Sequence, residues 1–94
     1  GQTASEDIIG FLSRWEGEKI RMAEWENFYK EFERLYGQEC RNRFPIDSAE
    51  YQKAFSVRKA PSRRKSTVNC QMQILGLPYE LNKENNCWVL HKQK

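Results

Sequence analysis

The chain predicts an α+β fold: three to four helices followed by a small antiparallel sheet or hairpin at the C-terminal end. Three observations carry that expectation. Apolar side chains recur at helical spacing in three stretches. A glycine (Gly17, Gly37 or Gly76) follows each of them. Two short alternating segments then flank a run of turn-forming residues near the C-terminus.

In the first helix, Ile8, Phe11, Leu12 and Trp15 fall at i, i+3, i+4 and i+7, one apolar stripe. Ser5 suits its N-cap, Glu6 and Asp7 its first turn, and Gly17 its end. Ile20 and Met22 alternate with Lys19 and Arg21, which suits a brief strand or a loop. The second helix, Ala23 to Tyr36, carries Trp25, Phe28, Tyr29, Phe32, Leu35 and Tyr36 at helical spacing, with charged residues between them and Gly37 as the stop. That aromatic stripe reads as core packing.

Residues 38–62 are less regular. Asp47 or Ser48 suits the cap of a short helix through Phe55, with Tyr51 and Phe55 one turn apart. Residues 56–65, holding Pro61 and five bases, read as a basic loop. A further helix spans Ser66 to Leu75, with Val68, Met72 and Leu75 inward and Ser66, Asn69 and Gln73 outward. Pro78 to Leu81 and Cys87 to His91 read as two strands joined by Asn82-Lys83-Glu84-Asn85-Asn86.

The 94 residues suit one domain over 1–94 with a single core, expected to be cut from a larger protein. No apolar run approaches the ~20 residues of a transmembrane helix, and the N-terminus lacks the basic-then-apolar order of a signal peptide. No membrane partner is expected. Three widely spaced cysteines, Cys40, Cys70 and Cys87, argue against a disulfide framework. They fit an intracellular location, the nucleus in a eukaryote and the cytoplasm otherwise.

The net charge of +3 conceals a gradient. Residues 1–40 hold nine acids against five bases, net −4; residues 41–94 hold eleven bases against four acids, net +7. Such a field orients a molecule toward a polyanion. The basic loop offers Arg58, Lys59, Arg63, Arg64 and Lys65, each able to neutralise a phosphate and release counterions. A solvated loop or a localisation signal has the same composition. Ser66, Thr67, Asn69 and Gln73 add short hydrogen-bonding side chains; Asn and Gln match adenine, and Ser or Thr can meet bases or phosphates. Lys83, Asn85 and Asn86 stand at the hairpin tip, with Glu84 as a local repulsion toward phosphate. Nucleic acid, duplex DNA in first place, is therefore the expected partner. A protein partner meeting the acidic helix 23–36, or exposed parts of Trp15 or Trp25, is the alternative.

Other chemistry is thinly represented. There is one histidine, and no Gly-rich phosphate loop, nucleophile elbow or His-Glu metal motif, so no enzyme activity, catalytic residue or cofactor is expected. Cys40, Cys70, Cys87 and His91 reach the count of a Cys3His zinc site but lack the close Cys-x2–4-Cys spacing. No metal is expected. Arg63-Arg64-Lys65-Ser66 also matches a basic-directed kinase site, where a phosphate would oppose a nucleic-acid backbone.

Met72-Gln73-Ile74-Leu75-Gly76-Leu77, a helix end running directly into a hairpin, resembles the winged-helix fold, with Ile20-Arg21-Met22 placed to pair as a third strand. The resemblance covers roughly residues 5–91. More loosely, the order of apolar helix, short strand and aromatic-rich helix is similar to the winged-helix appendages of viral and phage primase-helicases. The resemblance implies a wing that touches the backbone or minor groove. One departure stands out: some 29 residues (37–65) separate the second and third helices, which the family joins closely. Either an extra helix is inserted, or Asp47–Phe55 is itself the third helix.

Overall fold

The computed structural model describes residues 7–56 and 64–93, the first three of the second stretch as backbone only. Helix α1 spans Ile8–Trp15; its N-cap is Asp7, whose side chain accepts from the Gly10 amide at 2.8 Å. The expected cap Ser5 lies outside the described residues. Gly17, at φ +78°, turns the chain out of α1 and donates its amide to the Leu90 carbonyl at 2.8 Å. Strand β1 is only Lys19–Ile20.

Helix α2, Met22–Arg43, is 22 residues long. At its start the Glu24 carboxylate accepts from the Arg21 amide, half of a capping box. Trp25, Phe28, Phe32 and Tyr36 form a ladder of rings 5.6 to 6.2 Å apart along its buried side. Phe28 also meets Phe11 at 5.3 Å and Trp15 at 5.4 Å, which fixes α1 on α2. Tyr36, fully buried, donates its hydroxyl to the Ala54 carbonyl at 2.8 Å. Burial holds that phenol protonated, well above its ordinary pKa.

Helix α3, Ala49–Ser56, is capped by Ser48, whose Oγ accepts from the Tyr51 amide at 3.1 Å. Helix α4, Arg64–Ile74, ends in a Schellman motif. The Leu77 amide donates to the Met72 carbonyl at 2.8 Å and the Gly76 amide to the Gln73 carbonyl at 3.0 Å, with Gly76 at φ +67°. Arg43 Nη1 donates to the Leu75 carbonyl at 2.7 Å, tying the end of α2 to the end of α4.

Strands β2 (Tyr79–Glu84) and β3 (Cys87–Lys92) are antiparallel, with Leu81 opposite Leu90 and Glu84 opposite Cys87. β3 also pairs with β1, Ile20 opposite Trp88, so the sheet order is β1-β3-β2. Ile8, Phe11, Leu12, Phe28, Phe32, Leu35, Val68, Met72, Leu75, Leu81 and Leu90 belong to one continuous core between helices and sheet.

The α+β expectation is met, among the described residues, by four helices and a three-stranded antiparallel sheet. Several boundaries differ from the sequence reading. Gly37 does not end α2: it is buried mid-helix, between Tyr36 and Cys40, and packing outweighs the ~1 kcal/mol that glycine costs in a helix. Arg21 and Met22 leave β1 and begin α2, because Glu24 caps that helix. Arg64 and Lys65 belong to α4, not to the loop. The hairpin loop shrinks to Asn85-Asn86 as β2 continues through Glu84; Asn85, at φ +57°, supplies the positive φ of a primed turn.

Candidate nucleic-acid interface

Two elements meet in the basic half. α4 lies against β2, and the joint between them is Asn69. Its Nδ2 donates to the Leu81 carbonyl at 3.1 Å, and its Oδ1 accepts from the Leu81 amide at 2.8 Å. β2 is an edge strand, and these are the backbone groups that point away from β3. The Asn69 amide thus takes the place of a neighbouring strand's peptide group and closes the middle of an open sheet edge.

Asn69, expected on the outward face as a base reader, is half-buried there and spends both ends of its amide on Leu81. Thr67 is corrected, being buried at 4% exposure on the inward side of α4. Gln73 alone of the side chains described in that set is exposed, as is Cys70 one turn before it. Gln73 borders two open grooves. One is shared with Asn69, Leu77, Tyr79, Glu80 and Gln93; the other with Phe44, Glu50, Lys53 and Ile74.

Arg64, Lys65 and Ser66 occupy the first turn of α4. Arg58, Lys59 and Arg63 lie outside the described residues. At the far end of the hairpin Lys83, Asn85 and Asn86 are all exposed, and Lys92 is exposed near the end of β3. Glu84, the acid expected to repel phosphate, is engaged by His91 Nε2 at 2.5 Å across the strands. Gln93 reaches Glu80 in the same way. Both acids of the hairpin therefore have a hydrogen-bond donor against them, which sequence spacing alone did not reveal.

Trp25 is 6% exposed and so offers no surface to a protein partner; Trp15 is half-buried. The outer side of α2 presents Glu24, Glu26, Lys30 and Arg34, mixed in sign. Among the described residues no group of three or more His, Cys, Asp or Glu could hold a metal ion, and no helix is long and apolar enough to cross a membrane.

Replacing Asn69 by alanine strips Leu81 of both partners. The expected loss is about 1–3 kcal/mol of stability, read from chemical denaturation. An unchanged midpoint would mean that the amide is not engaged with Leu81 in solution. No family model matches the chain, no curated protein matches it, and no solved structure matches it.

Proposed function

We propose that the chain is a winged-helix-like binding module for duplex nucleic acid, DNA in first place, and that it carries out no catalytic step. The observation that supports this most is the Asn69–Leu81 joint. It makes α4, with Arg64 and Lys65 in its first turn, and the β2–β3 hairpin, with Lys83 at its tip, one rigid block. Element order adds support: a short strand ahead of α2 completes the hairpin's sheet in the order β1-β3-β2, the arrangement of a winged helix.

On this reading α4 enters a groove by its first turn, where helix amides and cations together favour phosphate. Arg58, Lys59 and Arg63 extend that grip. Gln73 is the side chain left to meet a base edge, adenine by chemistry. Lys83, Asn85 and Asn86 touch the neighbouring backbone. With Thr67 and Asn69 committed to the fold, few groups remain for base contacts. Affinity then comes mainly from phosphate neutralisation, and sequence preference is weak.

The test is a duplex titration at several salt concentrations, comparing the parent chain with the triple variant Arg63→Ala, Arg64→Ala, Lys65→Ala. Each lost cation removes about 0.9 from the slope of log K against log salt, so the variant's slope flattens by roughly 2–3. Equal binding by both proteins, or a parent affinity indifferent to salt, would sink the reading.

A further inference from the structure

His91 is the one histidine of the sequence, and the fold sets it against the acid next to the hairpin turn. Its Nε2 lies 2.5 Å from Glu84 Oε2. The two residues are not partners in register: Glu84 stands opposite Cys87, and His91 opposite Glu80. Paired residues share a face and positions two apart return to it, so Glu80, Glu84 and His91 all stand on one face of the hairpin. The contact therefore runs lengthwise along that face, toward the tip that carries Lys83, Asn85 and Asn86. The side chains are 45% and 48% exposed, so a solvent proton and a phosphate can both reach the pair.

The pair has two charge states. A neutral imidazole can donate Nε2–H to the carboxylate, which leaves the pair with one negative charge. An imidazolium donates as well and brings the pair to zero. Histidine is the side chain that ordinarily changes charge between pH 5 and 8. The other charged groups around it belong to three stretches. On β2, Glu80 faces His91 and receives Gln93, and Lys83 precedes Glu84. On β3, Lys92 follows His91. Along the other edge of β3 run Glu16, Glu18 and Lys19, with Glu16 bridged to Leu90 and Lys19 opposite Val89. Carboxylates and lysine amines ordinarily keep one charge across that pH range. The imidazole is thus the switching element of the hairpin.

We propose that protonation of His91 strengthens the hairpin's hold on a nucleic-acid backbone, by cancelling the charge of Glu84 beside Lys83, Asn85 and Asn86. The inference rests on the duplex reading above and adds a pH dependence to it. Its sign follows from charge: a phosphate at the tip meets one negative charge fewer once the imidazole is protonated, so affinity rises as pH falls. Linkage is reciprocal, so duplex binding takes up protons.

The experiment measures fluorescence anisotropy of a labelled blunt duplex with the full chain, at one salt concentration, at about pH 5.5 and about pH 7.5. It compares the parent with His91→Gln and Glu84→Gln. The parent should bind about 5-fold tighter at the lower pH, the effect of one exposed unit charge about 4 Å from a phosphate in water. His91→Gln keeps a hydrogen-bonding side chain that does not titrate, so its affinity should be the same at both. Glu84→Gln removes the acid outright and should bind at the higher pH as tightly as the parent does at the lower. Both substitutions alter exposed residues, and circular dichroism checks that the variants are folded. Equal parent affinity at the two pH values would overturn the proposal. So would a His91→Gln protein that keeps the parent's pH dependence, or a Glu84→Gln protein no tighter than the parent at the higher pH. A parent chain that binds duplex at neither pH is a different failure: it removes the duplex reading, and the proposal with it.

Discussion

Phe28→Ala is expected to cost about 3–5 kcal/mol, the range for removing a buried aromatic ring. That is a large part of the 5–15 kcal/mol that holds a typical domain together. Phe28 is 1% exposed and touches Phe11, Trp15, Trp25 and Phe32, so it is the side chain through which α1 is fastened to α2. Its removal leaves a cavity bounded by stiff rings that cannot collapse to fill it. In a chain of this size each kcal/mol lowers the melting temperature by ~4–8 °C. A calorimetric scan should show a drop of at least about 12 °C. Tyr29→Ala, next to it on α2 but half-buried, removes a smaller contact and should cost much less. Equal losses from the two would mean that the ring ladder is not the joint between the helices.

That ladder was legible in the sequence, because helical spacing of large apolar residues reports which side of a helix is buried whatever it packs on. Ile8, Phe11 and Leu12 in α1, and Val68 and Met72 in α4 with Leu75 just after it, were readable for the same reason, and all six are buried. Gly17 and Gly76 were readable as stops because each has a positive φ, which glycine adopts without strain. Gly37 has the same local signal and the opposite outcome. Its neighbours Tyr36 and Cys40 are buried, and helix continuity there is decided by tertiary packing rather than by local preference. Asn82, Lys83 and Glu84 are poor strand formers by themselves, and they pair only because Val89, Trp88 and Cys87 lie opposite.

The candidate site was legible as charge and illegible as geometry. Counting bases locates the basic half without any structure. Helical spacing placed Gln73 on the outside, and Asn69 there as well. Asn69 turns to the hairpin because an edge-strand peptide, twelve residues away in sequence, presents it with both a donor and an acceptor. No local pattern encodes that meeting. The consequence for function is specific: the helix that would face a nucleic acid spends part of its polar complement on holding itself to the hairpin.

Gln71→Met is expected to stabilise the protein by about 1–2 kcal/mol, the part of a 1–3 kcal/mol desolvation cost that a flexible apolar replacement of similar volume relieves. Gln71 is fully buried on the inward side of α4, and neither its Nε2 nor its Oε1 has a hydrogen-bond partner among the described residues. A buried amide with both ends unmatched opposes the packing that the other inward residues of α4 supply. Removing the amide while keeping the volume should raise the melting temperature by ~4–8 °C per kcal/mol gained. Gln71→Ala makes the complementary measurement: it removes the same amide but opens a cavity, so it should gain less than methionine or lose stability. Nucleic-acid binding should be unaffected by the methionine variant, because the side chain it replaces faces the core and not the grooves beside Gln73. A destabilised Gln71→Met protein would show that the amide is matched in solution, by a bound water or by residues 57–63, and that α4 is seated on a polar contact rather than against one.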